Sequence, residues 1–170
     1  MSLIIRPEAP ADIPAVFHVN QRAFGRDNEA RLVNKLRDEN AIVLSLVAQV
    51  DETIVGHILF SPVTIRDGET EWQALGLGPM AILPEFQKQG IGSKLIRAAL
   101  AELKALGHDV VIVLGHAEYY PRFGFQPAQP FGIRWEIDVP AEVFRLAELT
   151  PGALRGRRGI ARYHPAFADV

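Results

Sequence analysis

The chain predicts a mixed α/β domain of the α+β kind, and three observations carry that prediction. Two strand-like stretches in the first half, 42–50 and 53–65, are joined by Asp51-Glu52, as in a β-hairpin. Past residue 72 a third such stretch runs through a glycine-punctuated loop into an amphipathic helix. Val110 to Leu114 is then wholly apolar, as expected of a strand buried at the centre of a sheet. Antiparallel hairpins followed by a strand–helix–strand unit make a mixed central sheet flanked by helices.

The elements follow in order. Leu3 to Arg6 reads as a first strand. Pro10, Asp12 and Pro14 open a helix that runs to about Phe24, proline being tolerated in a first turn. A second helix covers about Asn28 to Asp38, with Leu32, Val33 and Leu36 on one face. After the hairpin, Asp67-Gly68 supplies a turn and Trp72 to Leu83 forms the strand that enters the loop. The next helix spans about Gly92 to Leu106: Ile91, Leu95, Ala99, Leu103 and Leu106 recur at helical spacing, and Gly107 is placed to stop it. Asp109 to Leu114 is a strand and Ala117 to Phe123 a short helix; strand fragments and proline turns make up the rest. The absence of repeats, linkers and low-complexity tracts predicts one domain over residues 1–170, which buries about two thirds of its extended-chain surface.

Composition narrows the function. A net charge of −2 speaks against a nucleic-acid surface or a polybasic membrane anchor. With no cysteine there is no disulfide, no thiolate metal site and no cysteine nucleophile. The longest uninterrupted apolar run, Val110 to Leu114, is far short of the roughly 20 residues of a spanning helix, and the start lacks a basic region leading a long apolar one. The expectation is a cytoplasmic protein without a nucleic-acid or membrane partner. The histidines show no ligand spacing, so no metal is expected.

Chemistry concentrates between Pro79 and Gly92. A strand, a turn rich in bare backbone amides and a helix N-terminus together hold a phosphate or pyrophosphate. Gly90 and Gly92 let the backbone approach such an anion with no Cβ in the way. Two better-known phosphate motifs do not apply. Gly76 to Ala81 matches Gly-x-Gly-x-x-Ala, but Pro79 and Pro84 leave no room for the helix that a dinucleotide fingerprint needs. The Lys-Ser/Thr pair of a P-loop is missing after the second glycine.

Gln87-x-x-Gly90-x-Gly92, entered through Ile82-Leu83-Pro84, resembles the acyl-coenzyme A loop of the GNAT N-acetyltransferase superfamily. Some thirty residues later, Tyr119-Tyr120-Pro121-Arg122-Phe123-Gly124-Phe125 resembles its second landmark, a tyrosine, three residues and Gly-Phe. Ile5-Arg6-Pro7 and the tail from Gly159 to Phe167 are similar to the YhbS-like branch, so the resemblance spans nearly the whole chain. It implies a GNAT-like fold with a splayed strand pair and acetyl-CoA as cosubstrate. The pyrophosphate would lie on Gln87, Lys88, Gln89, Gly90, Ile91, Gly92 and Ser93. The pantetheine arm would pair with the strand edge at Met80, Ala81 and Ile82, and amides near Ala81 to Leu83 would polarise the thioester carbonyl. Tyr120 matches the general acid, and Tyr119 packs or contacts the cofactor. His116 is a candidate for acceptor binding or proton relay, with capping or a supporting hydrogen bond equally open to it.

The resemblance further implies direct attack by a primary amine, of a small molecule or a protein, in a ternary complex. The superfamily often places a glutamate base on the central strand. Trp72 to Leu83 offers only apolar residues, Gln73 and glycine, which points to water or a backbone-held relay. A non-catalytic coenzyme A sensor or partner-docking module is the alternative. The identity of the acceptor, the acyl length and a homodimer all stay open.

Overall fold

The computed structural model describes residues 2–115 and 117–170, with Asp169 described for its backbone alone. Its strands are β1 (Leu3–Pro7), β2 (Leu44–Val50), β3 (Thr53–Asp67), β4 (Thr70–Ile82), β5 (Val110–Leu114), β6 (Gln126–Pro127), β7 (Ile133–Trp135), β8 (Phe144–Glu148) and β9 (Gly159–Tyr163). The helices are α1 (Ile13–Phe24), α2 (Asn28–Asp38) and α3 (Ile91–Ala105), with short 3₁₀ turns between elements. Hydrogen bonding runs β1-β2-β3-β4-β5-β8-β6, and β9 pairs with β3 and β7. The result is the expected mixed sheet: β4 and β5 are parallel, while β1, β2 and β3 are antiparallel neighbours.

Two compact units divide the chain. The first holds residues up to Ser61, Gly78–Ala101 and the tail from Pro165; the second holds Pro62–Leu77 and Glu102–His164. β3, β4 and α3 are each long enough to contribute to both.

In the first unit, Leu32, Val33 and Leu36 of α2 are buried with Val16 of α1, Val47 of β2 and Leu59 of β3. Each such side chain contributes about 1.5–3 kcal/mol of burial. Proline sits in the first turn of α1, and Gly25 ends that helix in the left-handed conformation, φ 69°. The Asp51-Glu52 hairpin is present, with Val50 opposite Thr53 and Asp51 at φ 54°. Asp12 is buried, and the Arg6 guanidinium, bonded to both its oxygens at 2.7 and 3.0 Å, holds its carboxyl below the usual range. Its Oδ2 also accepts the Ala9 amide, so β1 and the entry to α1 share one ion pair.

A polar tie runs inside the same unit. His57 on β3 is fully buried; its Nδ1 faces the Asn20 amide nitrogen of α1 at 3.1 Å and its Nε2 faces Ser45 Oγ of β2 at 2.9 Å. Asn20 Nδ2 also donates to Val16 O, so Nδ1 is the accepting nitrogen and Nε2–H donates to Ser45. Burial, seconded by the Arg37 charge, pushes His57 down to about 3 and keeps it neutral.

The second unit buries Val63 and Ile65 of β3, Val110 and Ile112 of β5, Ile133 of β7, Leu146 of β8 and Ala161 of β9. Several expected boundaries shift by a residue or more, β2 beginning at Leu44 and β4 running from Thr70 to Ile82, and two shifts change a residue's role. Leu106 lies past the end of α3 and is 57% exposed, so it is no core position. Of the short helix expected over 117–123, only Tyr120–Phe123 winds, as a 3₁₀ turn with Pro121 in its first turn and Gly124 closing it at φ 86°.

Candidate active site

The strand entering the loop changes character at Gly78. The parallel ladder of β4 with β5 comprises Leu75↔Val111, Gly76↔Ile112 and Leu77↔Val113, whereas β4 itself continues to Ile82. Pro79 has no N–H to give to a ladder, so pairing has a chemical reason to stop there. On its other side the strand stays tied, because the Leu83 amide donates to Val55 O at 2.8 Å. Gly56 of β3 makes room for this: a Cβ there would stand 2.8 Å from Ile82 Cδ1 and 3.1 Å from Leu95 Cδ1 of α3.

That bond corrects one expectation. The Leu83 amide is committed to β3 and is not free to polarise a carbonyl. Backbone amides of an extended strand face alternate edges, which turns those of Met80 and Ile82 the other way and Ala81 toward β3. Met80 and Ile82 are half-buried and Ala81 is buried.

Beyond Ile82 the chain makes a 3₁₀ turn at Pro84–Phe86, with Phe86 N bonded to Leu83 O and Gln87 N to Pro84 O. Both glutamines brace the loop from within: Gln87 Nε2 donates to Ile82 O at 3.0 Å, and Gln89 Nε2 to Glu85 O at 3.2 Å. Lys88 and Gly90 sit at positive φ, 62° and 84°. A Cβ on Gly90 would meet no atom within 4 Å, so its face of the loop is open space. Ile91, Gly92 and Ser93 form the first turn of α3, which carries no acidic residue, and Lys94 N closes the first helical bond onto Gly90 O. The first amides of the helix therefore have no intrahelical partner, and no carboxylate in the turn cancels the positive end of its dipole. Glu85 does not serve that end; it pairs at the surface with Arg22 of α1 at 3.3 Å. Among the predicted residues, Met80 to Ile82 and Gln87 to Ser93 are thus brought together in the first unit.

The tyrosines form a cluster inside the second unit. Tyr120 is 7% exposed, and its ring meets those of Tyr119 at 5.4 Å and Phe125 at 5.6 Å, both edge-on. Gly115, just past β5, is its seat, since a Cβ there would lie 3.3 Å from Tyr120 Cε2. Burial, with a smaller contribution from Tyr119, pushes the Tyr120 phenol up to about 12. Tyr119 is half-buried, packs on Phe123 and carries Arg122 over its ring at 5.6 Å. His116 lies outside the described residues. Glu118 is exposed.

One member of this cluster was not singled out by sequence reasoning. Tyr163 of β9 lays its ring against Gly76, where a Cβ would stand 3.2 Å from its Cε2, and its hydroxyl is buried. Burial and then Tyr120 raise its phenol above the ordinary range. A glycine inside an otherwise apolar strand signals close approach by another group, and that is the trace the sequence carries.

A strand that loses its parallel partner, an amide-rich loop at a helix N-terminus and a buried phenol are the parts that the resemblance to the GNAT superfamily implies. Comparison with known proteins gives the family. The acetyltransferase (GNAT) domain matches residues 4–128. The chain is 33% identical over 166 residues to the uncharacterized N-acetyltransferase YhbS of Escherichia coli (strain K12), covering 97% of this chain and 98% of that protein. It superposes on a crystal structure of E. coli YhbS in complex with CoA with a TM-score of 0.91 at 32% identity, over 97% of this chain and 91% of that one. A GNAT family acetyltransferase from Brucella melitensis in complex with acetyl-CoA gives 0.81 at 36% identity, with 98% of each chain covered. The chain belongs to the GNAT acetyltransferase family, and its class is that of an N-acetyltransferase. Among the described residues no helix is long and apolar enough to cross a membrane, and no cluster of three or more His, Cys, Asp or Glu is placed to hold a metal.

Proposed function

We propose that this chain moves an acetyl group from acetyl-CoA to a primary amine by direct attack in a ternary complex. The observation that carries the reading is the loop from Lys88 to Ser93: open space over Gly90, helix amides without intrahelical partners and no competing acid in the first turn of α3. Structures of two relatives with CoA and acetyl-CoA support the same ligand here. Gln87 and Gln89 shape the cradle by bracing its backbone, and amides from Lys88 to Ser93 hold the pyrophosphate. The edge of Met80 and Ile82 takes the pantetheine arm, and their amides, in place of that of Leu83, polarise the thioester carbonyl.

In the reaction the amine nitrogen bonds to the acetyl carbon, the carbon–sulfur bond breaks, and the proton lost by nitrogen ends on sulfur. Tyr120 serves the leaving group. A phenol raised to about 12 stays protonated and donates a hydrogen bond to the sulfur as charge builds there. Full transfer to a thiolate, whose acid has a pKa of about 8.5, is uphill, so the net proton comes from the amine through water. Nothing in the scheme needs a covalent enzyme intermediate, and orientation supplies most of the rate. The whole chain, residues 1–170, acts as the catalytic domain in this reading, and a chain without cysteine suits the cytoplasm.

The lack of a carboxylate from Trp72 to Leu83 favours one other reading, a coenzyme A module without turnover. Incubating the protein with acetyl-CoA and an amine panel decides between them. Free thiol released above the hydrolysis background supports transfer; binding of acetyl-CoA with no amine-dependent thiol would contradict it.

A further inference from the structure

Two exposed ion pairs of the second unit border one open cleft of about 270 Å³. Its walls include Thr64 and Arg66 of β3, Glu71 of β4, Glu136, and Ile160 and Arg162 of β9. The ladders bring them together. Thr64 lies opposite Arg162, and Arg66 opposite Ile160, in the antiparallel pair of β3 and β9. Residues two apart on a strand share a face, so Ile160 and Arg162 stand side by side with Arg66 and Thr64 next to them. The Glu136 amide donates to Ala161 O at 3.2 Å, which sets that residue beside the same stretch of β9.

Both pairs are only half used. Arg66 gives Nε and one terminal nitrogen to Glu71 Oε1, and Arg162 gives Nε to Glu136 Oε2 at 2.9 Å. The terminal nitrogens of Arg162, Glu71 Oε2 and Glu136 Oε1 have no partner among the described residues. Ile160 leaves 39% of its surface open, a large apolar side chain in an otherwise polar cleft. Exposed pairs of this kind add little to stability, so their unused atoms can meet a ligand at small cost to the fold.

The charges of the lining cancel, two guanidinium groups against two carboxylates. An anion alone would meet the arginines with both carboxylates close by, and a cation alone would meet the glutamates with both guanidinium groups close by. A small molecule that carries both signs complements the whole lining.

We propose that this cleft binds an α-amino acid with an aliphatic side chain. Its carboxylate accepts hydrogen bonds from the terminal nitrogens of Arg162, its ammonium donates to the unused carboxylate oxygens, and its side chain lies on Ile160. The volume falls just short of the usual range for drug-sized ligands, in keeping with a ligand of this size. All of these residues belong to the second unit, and binding there does not depend on the transferase reading.

Calorimetric titration of the whole protein tests this with three probes: L-leucine, 4-methylpentanoate, which lacks only the ammonium, and 3-methylbutylamine, which lacks only the carboxylate. Leucine is expected to bind, and each of the other two at least tenfold more weakly. Arg162→Gln and Glu136→Gln are each expected to weaken leucine about tenfold or more with the melting temperature unchanged. No binding of leucine to the wild type would overturn the proposal. So would 4-methylpentanoate binding as tightly as leucine, which would mark an anion site only, or an unchanged leucine affinity in both variants, which would place the amino acid elsewhere.

Discussion

Tyr120 shows how one residue's place sets its chemistry. A phenol of about 12 remains protonated across the working pH range, so in the proposed reaction it would donate throughout and not titrate into an inactive form. Tyr120→Phe keeps the ring against Tyr119 and Phe125 and loses the donor; we expect turnover to fall roughly 10²-fold with acetyl-CoA affinity nearly constant, read by steady-state kinetics and calorimetry. The same raised pKa predicts a pH–rate profile with no falling limb from Tyr120 below about pH 11. A descending limb near pH 9 that disappears in Tyr120→Phe would contradict it. The candidacy of Tyr120 was legible from its spacing to Gly124-Phe125. Other roles were not, because they depend on partners far away in the chain. Leu83 spends its amide on Val55, Glu85 its carboxylate on Arg22, and Tyr163 covers Gly76 from the C-terminal region.

Among the elements, α1, β2 and β3 are joined at His57, and the sign of its effect on stability is fixed. The folded histidine binds no proton until the pH nears 3, whereas the unfolded one binds below about 6.5. Stability from this group is present above 6.5 and is lost as the pH falls toward 3, by about 2.5 kcal/mol between pH 7 and pH 4.5. His57→Gln keeps an acceptor for Asn20 and a donor for Ser45 and removes the titration. Chemical denaturation at pH 7 and pH 4.5 should show a smaller pH loss in the variant than in the wild type; equal losses would contradict the assignment. Periodicity made α1, α2, α3 and the Asp51-Glu52 hairpin readable, since each spans enough residues to repeat. β6 and β7 are only 2 and 3 residues long, too short for any alternation to register. The loop at Gln87 to Gly92 was readable through its glycines, but the bracing by two glutamine side chains was not, since either could equally have faced solvent.

For the molecule as a whole, the absence of a carboxylate from Trp72 to Leu83 is the basis for an expected acceptor preference. At pH 7 an alkylamine of pKa about 10.4 pays roughly 4 to 5 kcal/mol to become neutral, and an α-amine near 8 pays roughly 1 to 1.5. We expect kcat/KM to climb with pH in step with each acceptor's own deprotonation, and amines of lower pKa to be preferred near neutrality. One inflection near 6.5 shared by two acceptors of different pKa, and lost in His116→Ala, would instead make His116 the base. All of this depends on acetyl-CoA lying on the loop around Gly90, and calorimetric titration of acetyl-CoA into the wild type and Gly90→Val tests that most directly. A valine there meets no protein atom near its Cβ, though the positive φ costs about 1–2 kcal/mol, so the fold persists with a modestly lower melting temperature. The account predicts binding by the wild type and at least a tenfold loss of affinity in the folded variant. Equal affinity in the two proteins, or no binding by the wild type, would contradict it.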